Sequence, residues 1–143
     1  MSERRMVIGL PDYLAAILAM AERLGPQSVL IRPGFVDDRD LQIFLIAADT
    51  VVLPYREILT SGAAMLAMSF GRPVIAPRLG ALNDLVKDDC GILFDRDDPN
   101  GLANALRAAR SMRFNEGVIF DAAALCKWED TARALVEAHT GLV

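Results

Sequence analysis

The chain has 143 residues, of which 53% are apolar and 24% charged, and its formal net charge is −4 at pH 7. This length suits one domain with a real core, and the acidic balance, with a pI near 4.9, argues against general nucleic-acid binding. No apolar run is long enough for a transmembrane segment, and residues 1–5 are too polar for a signal peptide. The two cysteines lie far apart without a CxxC pair, which is typical of free thiols, so we expect a cytoplasmic protein.

Strand-like and helix-like segments alternate along the chain. Five segments are short, apolar and bounded by turn residues, as buried parallel strands are: Arg5–Leu10, Ser28–Arg32, Thr50–Leu53, Pro73–Ala76 and Cys90–Phe94. The segments between them have apolar residues at helical spacing or begin at a good cap: Asp12–Leu24, a helix that begins at Asp37 or Asp38, Ala63–Met68 and Ala81–Val86. This alternation predicts parallel strands joined by right-handed crossovers.

The last third of the chain is mostly helical in pattern. Asp98 followed by Pro99 predicts a helix start, because aspartate caps a helix and proline suits its first turn. Glu116–Leu125 and Trp128–His139 are also predicted to be helices. The whole pattern predicts an α/β fold: a Rossmann-like doubly wound parallel sheet of about five strands, with helices on both faces and a helical C-terminus.

The stretch at residues 54–77, PYREILTSGAAMLAMSFGRPVIAP, is where we expect the functional site. It predicts the end of a strand, a polar loop, a buried helix capped by Ser61, a left-handed turn at Gly71, and a second strand. A polar loop that leads into a helix N-terminus at the carboxyl edge of a parallel sheet is a common site for anionic ligands.

The same stretch resembles the donor-binding region of GT-B fold glycosyltransferases of the group 1 type. Leu66–Val74 matches the family pattern Glu-Ala-Met-Ala-x-Gly-x-Pro-Val. Further matches occur in the family's order on both sides: Gly34–Asp38, Ala47–Pro54, Leu79–Val86, Gly91–Phe94 and Asp98–Ala103. The resemblance implies that residues 1–143 are a single Rossmann-like domain, the C-terminal nucleotide-sugar-binding half of such an enzyme.

The resemblance begins at what matches the second strand of that domain. The family's first strand-helix unit, which brings an arginine and a lysine to the donor diphosphate, has no counterpart, nor has the N-terminal acceptor domain. We therefore expect a chain that is truncated at its N-terminus and inactive alone. In the predicted sheet, the strands at 5–10 and 50–53 lack their shared neighbour, so self-association through an exposed sheet edge is also predicted.

The resemblance further implies a function and a substrate class. The expected activity is metal-independent glycosyl transfer from a UDP-, GDP- or ADP-sugar in polysaccharide or glycoconjugate biosynthesis, with no cofactor. The family's paired glutamates fall at Ile58 and Leu66, which are not acidic, although Glu57 is placed to substitute for the first. The loop form Ile-Leu-Thr-Ser-Gly leaves both retaining and inverting transfer open. An alternative is a degenerate, non-catalytic Rossmann-like binding or interaction module, which Ile58 and Leu66 favour.

The resemblance assigns the catalytic role to Glu57, as the group that contacts the donor sugar. The expected donor-binding residues are Gly34, Phe35, Val36, Tyr55, Arg56, Thr60, Ser61, Gly62, Ala63, Leu66, Gly80 and Ala81. Each also has a purely structural interpretation: Glu57 as part of a solvated loop, Ser61 as an ordinary cap, and Gly34–Val36 as a turn next to the core.

Two Asp-Arg-Asp triplets match the DxD pattern that binds metal in the other large glycosyltransferase fold. They are Asp38–Asp40 and Asp95–Asp97, and both precede predicted helices, where aspartates act as caps. We therefore predict no metal site.

Overall fold

The computed structural model describes residues 11–25, 28–126 and 136–137. The chain divides into two compact units, residues 1–41 and 42–143, and each is considered by itself. The extent of a single domain over the whole chain stays a prediction. The predicted strand at Arg5–Leu10 and most of the predicted helix at Trp128–His139 lie outside the described residues, although Val136 and Glu137 are helical.

The first unit contains one complete helix. Helix α1 (Pro11–Leu24) ends at Gly25, whose φ of +88° reverses the chain as a glycine after a helix commonly does. The predicted strand at Ser28–Arg32 is wrong, because these residues form a turn and an irregular segment in which Leu30 is 77% exposed. A strand needs a paired neighbour, and none of the described strands pairs with this segment.

Helix α2 (Asp38–Ala47) spans the division between the two units. Its cap is Asp37, whose Oδ1 accepts a hydrogen bond from the Arg39 N–H at 3.0 Å. This confirms the predicted helix start and gives Asp37 a structural role at the first turn.

Among the described residues, the second unit is built on a parallel three-stranded sheet of order β1-β2-β3. The strands are β1 (Val51–Val52), β2 (Val74–Pro77) and β3 (Gly91–Phe94). Residues 48–126 also contain four helices: α3 (Gly62–Ser69), α4 (Leu82–Leu85), α5 (Gly101–Ala109) and α6 (Glu116–Leu125). The three predicted strands and four predicted helices of this unit are confirmed; the bounds of α6 agree with the prediction, and those of the other elements differ by at most three residues.

The central strand carries the core. All four residues of β2 are buried, and both α3 and α5 pack against it, so both faces of this strand are covered. Met68 of α3 and Ile119 of α6 are fully buried, in agreement with the contact between those helices. Truncating such a side chain to alanine costs about 2–5 kcal/mol in comparable cores.

Two glycines allow backbones to approach closely beside β3. A Cβ at Gly91 would overlap the Val74 carbonyl oxygen of the paired strand, and a Cβ at Gly101 would overlap the Asp95 carbonyl oxygen. Helix α5 begins at Gly101, later than the sequence predicts. Asp98 instead caps the preceding turn, where its Oδ1 accepts from the Asn100 N–H at 2.8 Å.

Candidate functional site

The loops that follow the three strands meet at one edge of the sheet. Parallel strands place their carboxyl ends at the same edge, so the loops after β1, β2 and β3 become neighbours. The Ala81 N–H, after β2, donates to the Leu59 carbonyl, after β1, at 3.0 Å. Arg96, after β3, donates through Nη1 to the Arg56 carbonyl at 3.1 Å. The loop after β1 is thus held from both neighbouring loops.

The loop after β1 is also closed on itself. Its first turn is fixed by a bond from the Tyr55 N–H to the Leu53 carbonyl at 2.9 Å. Its end is joined to its start by a 3.1 Å hydrogen bond between Tyr55 Oη and Ser61 Oγ. Ser61 is buried, and its Oγ also accepts from the Ala64 N–H at 3.1 Å, which is the N-cap contact of α3. One hydroxyl therefore sets both the loop shape and the helix start.

The N-terminus of α3 presents donors to solvent. Within the described residues, the N–H groups of Gly62 and Ala63 have no hydrogen-bond acceptor, and both residues are exposed. Such first-turn donors, together with the positive end of the helix dipole, form a ready site for an anion.

Gly80 is required by the approach of two loops. Its φ is +49°, and a Cβ at this position would lie 2.7 Å from the carbonyl oxygens of both Ile58 and Leu59. Both the backbone conformation and the space therefore demand glycine. The next residue, Ala81, makes the inter-loop bond to Leu59, so this pair fixes the distance between the loops after β1 and β2.

A cleft of about 430 Å³ opens between these loops. Its walls are Glu57, Ile58, Leu59, Leu79, Gly80 and Arg96. The Glu57 carboxylate is exposed and makes no ion pair in the described part of the chain. Arg96 brings a cation to the same cleft and is oriented by a 3.1 Å contact from its Nε to Asp97 Oδ1. The cleft therefore holds an unpaired carboxylate and a positioned guanidinium.

Nine of the predicted donor-site positions belong to the second unit, together with the predicted catalytic Glu57. Glu57 and Gly80 line the cleft, and Ala81 and Arg56 contribute the backbone bonds beside it. Tyr55, Thr60, Ser61, Gly62 and Ala63 form the rest of the loop and the start of α3. Leu66 lies further along α3, is 38% exposed, and does not line the cleft.

The other three predicted residues belong to the first unit. Gly34 has a φ of +114°, and Phe35 is 93% exposed. Phe35 and Val36 line a small cavity of about 260 Å³ together with Arg32 and Asp40, whose side chains approach to 3.5 Å. An exposed ring next to a glycine turn is available for a ligand and contradicts the alternative that Phe35 packs in a core.

The residues that the sequence interpretation missed are Arg96 and Leu59. In the sequence, Arg96 stands out only as the middle residue of the triplet Asp95–Asp97. Its neighbours serve the turn, because Asp95 Oδ1 accepts from the Asp97 N–H at 2.9 Å. Among the residues that the structure describes, no three acidic, histidine or cysteine side chains group as metal ligands do. The role of the Leu59 carbonyl cannot be predicted from the sequence, since every residue has a backbone carbonyl.

A sequence match identifies the family to which this chain belongs. The chain matches the model of the Glycosyl transferases group 1 family over residues 4–111. This chain belongs to the group 1 glycosyl transferases. The family predicted from the motifs is therefore confirmed.

Individual group 1 relatives agree with this membership. The chain is 30% identical over 138 residues to the D-inositol 3-phosphate glycosyltransferase of Xylanimonas cellulosilytica, covering 92% of this chain and 33% of that protein. It is 28% identical over 120 residues to the glycogen synthase of Thermus thermophilus, covering 83% of this chain and 27% of that protein. The chain thus spans about a third or less of the length of these curated relatives.

A solved structure supports the fold. The catalytic domain of starch synthase IV from Arabidopsis thaliana, solved with ADP and acarbose, superposes with a TM-score of 0.60 at 21% identity, over 90% of this chain and 30% of that one. The predicted α/β fold class is confirmed. No helix in the described ranges is both long and apolar enough to cross a membrane.

Proposed function

We propose that this chain is the donor half of a group 1 glycosyltransferase and that it binds a nucleotide-diphosphate sugar at the carboxyl edge of its sheet. The observation that carries the proposal is the meeting of three loops at the segment that leads into α3, whose Gly62 and Ala63 N–H groups are open to solvent. These donors and the helix dipole suit the diphosphate of such a donor.

In this proposal Glu57 contacts the sugar. Its carboxylate lines the cleft next to Gly80, within the wall that Arg96 completes. A carboxylate that accepts hydrogen bonds from sugar hydroxyls orients the anomeric carbon for transfer. In the transfer itself, the bond between that carbon and the diphosphate oxygen breaks while an acceptor hydroxyl forms the new bond and loses its proton. The N–H groups at α3 stabilise the charge that develops on the departing diphosphate.

The other predicted residues have supporting roles in this account. Tyr55 and Ser61 hold the loop closed, and the Arg56 carbonyl anchors it to Arg96. Thr60 is exposed in the loop just before the helix. The nucleobase contact at Gly34, Phe35 and Val36 remains a proposal of its own, supported by the exposure of Phe35.

Transfer requires a second half that supplies the acceptor. Because the chain spans about a third of the length of its curated relatives, we propose that an acceptor-binding domain works with it and that the chain alone transfers no sugar. The acceptor, the polysaccharide or glycoconjugate product and the cytoplasmic location are parts of the same proposal. Release of nucleotide diphosphate from a UDP-, GDP- or ADP-sugar by the purified chain with a sugar acceptor would contradict it.

We also propose self-association through β1. This strand pairs with β2 on one side only among the described residues, and Val52 is 36% exposed. An unpaired strand edge is a template for another strand. Light scattering should give a mass above that of one chain, and a concentration-independent monomer would contradict the proposal.

A second candidate function is a binding module without transferase chemistry. It is favoured by Ile58 and Leu66, which stand where the family has its paired glutamates. Leu66 does not line the cleft, so the usual ribose contact has no equivalent there. Such a module would keep the nucleotide contact at α3 while losing selectivity for the sugar.

Calorimetry with matched variants separates these possibilities. The wild-type chain is titrated with UDP-, GDP- and ADP-glucose and with the corresponding free diphosphates. One nucleotide sugar should bind saturably, and Glu57→Gln should weaken it by about tenfold while the free diphosphate is unaffected. Asp121→Asn, an exposed acidic residue on α6, serves as the control. Equal affinity for sugar and free diphosphate in both proteins favours the binding module, and no binding at all contradicts the donor-half proposal.

A further inference from the structure

A larger cavity lies at the opposite edge of the sheet, where the strands begin. Its volume is about 540 Å³, and it is formed by the residues just before β1 and β2 and by the segment that joins α5 to α6. Its charged lining residues are Asp49, Arg72, Arg110, Arg113 and Glu116. The donor site is at the carboxyl ends of the same strands, so this cavity has no part in it.

Arg72 is the fixed cation of this cavity. It is 16% exposed in its side chain, and its Nη1 donates to Glu116 Oε1 at 2.7 Å. Its Nε is buried and has no acceptor among the described residues. Buried polar donors are rarely left in that condition. A guanidinium holds its N–H donors in one plane and suits the oxygens of an anion, and the Arg72 side chain lines the cavity.

The remaining charges favour an anion. The Arg72–Glu116 pair is neutral as a unit. Arg110 and Arg113 are exposed and form no ion pair within the described ranges, and they outnumber the remaining acid, Asp49. The position is therefore locally cationic on a chain whose formal net charge is −4.

The residues that line the cavity favour a ligand larger than a single inorganic ion. Leu106, Met112 and Phe114 give the cavity apolar surface. Its volume falls in the range of small-molecule sites and exceeds what a single phosphate fills. A ligand with a doubly charged head and a small organic body fits both the arginines and the apolar walls.

We propose that this cavity binds a small phosphate monoester, with the phosphate held by the guanidinium charges of Arg72, Arg110 and Arg113. The ion pair between Arg72 and Glu116 fixes the Arg72 guanidinium in the wall of the cavity. Gly71 makes this ion pair possible, because its φ is +69° and a Cβ there would lie 3.0 Å from Glu116. The proposal is independent of the donor site and holds or fails separately from it.

The test is a titration of the 143-residue chain at low salt with a hexose monophosphate and, in parallel, with inorganic phosphate, followed by phosphorus NMR and calorimetry. Saturable binding is expected, tighter for the monoester than for inorganic phosphate. The double variant Arg110→Gln/Arg113→Gln changes only exposed side chains and should weaken binding by about tenfold or more. Arg72→Lys keeps the charge but removes the planar guanidinium, and it should also weaken binding.

The control is Arg107→Gln, because Arg107 lies on α5 outside the cavity and bonds to Asn104. It should bind the monoester as the wild type does. An equal loss of affinity in Arg107→Gln and in the double variant would show nonspecific charge attraction and overturn the proposal. Absence of saturable binding by the wild type would also overturn it, and tighter binding of inorganic phosphate than of the monoester would overturn the choice of ligand.

Discussion

Replacing Ser61 with alanine should destabilise the second unit through two lost contacts. Ser61 is 7% exposed, and its hydroxyl serves both as the N-cap of α3 and as the partner of Tyr55. Loss of a serine cap costs about 1 kcal/mol, and loss of one buried hydrogen bond costs a further ~1 kcal/mol. We expect the free energy of unfolding to fall by about 1.5–2.5 kcal/mol, a large share of the stability of a typical domain.

Urea unfolding followed by circular dichroism measures this change. The midpoint should fall by about 1 M, since the denaturant slope for a chain of this size is on the order of 2 kcal/mol per molar urea. Ser69→Ala is the matched control, because Ser69 is an exposed serine on the same helix whose hydroxyl bonds only to the Leu66 carbonyl. Its effect should stay within about 0.5 kcal/mol.

A double-mutant cycle isolates the contact with Tyr55. Tyr55→Phe alone should cost about 1 kcal/mol, and the variant that lacks both hydroxyls should cost about 1 kcal/mol less than the sum of the two single changes. An effect of Ser61→Ala no larger than that of Ser69→Ala would refute the assignment of Ser61 as the cap. Additive single changes would refute the bond to Tyr55.

Three further predictions concern other parts of the second unit. Gly80→Ala should lower the free energy of unfolding by at least about 2 kcal/mol in urea titrations, because it combines an unfavourable φ with a clash at 2.7 Å; an unchanged midpoint would contradict this. Arg96→Ala should speed amide hydrogen exchange at residues 56–59, whereas Arg96→Lys should be intermediate, and unchanged exchange would mean that the side-chain bond is not the anchor. Burial, helped by a neighbouring carboxylate, raises the pKa of the Cys90 thiol from 9.0 to about 11, so a disulfide reagent at about pH 8 should label exposed Cys126 and not Cys90 until the chain unfolds. Because the thiol of the unfolded chain has the lower pKa, the contribution of Cys90 to the free energy of unfolding should decline as pH rises from 9.0 to about 11. Prompt labelling of both thiols in the folded chain would contradict the burial of Cys90.

Local chemistry explains what the sequence could predict. A cap at Ser61 and a left-handed glycine at Gly71 act within a few residues, so the helix that they bound was foreseeable. The strands β2 and β3 were foreseeable for a similar reason, because continuous apolar runs between turns are typical of buried parallel strands.

Features that depend on partners far apart along the chain could not be predicted from the sequence. The segment at Ser28–Arg32 is apolar enough for a strand, but pairing decides whether a strand forms. The close approach of Gly101 to the Asp95 carbonyl, which requires glycine at this position, is brought about only by the fold. The bond from Arg96 to the Arg56 carbonyl joins residues 40 positions apart, and no local pattern encodes it. The sequence therefore predicts the loop and the helix of the candidate site. It does not predict the groups from other loops that fix the geometry of that loop.

The most direct test of the proposed donor site is amide NMR of the chain with and without UDP-, GDP- or ADP-glucose. The account predicts that one of these ligands shifts the backbone N–H signals of Gly62 and Ala63 the most, with smaller shifts at Gly80. The signals of Gly71 and Arg110, at the other edge of the sheet, should stay unchanged at ligand concentrations that saturate the donor site. Shifts confined to Gly71 and Arg110, or no shift at Gly62 and Ala63 with any of the three, would contradict the claim that this chain binds its donor at the N-terminus of α3.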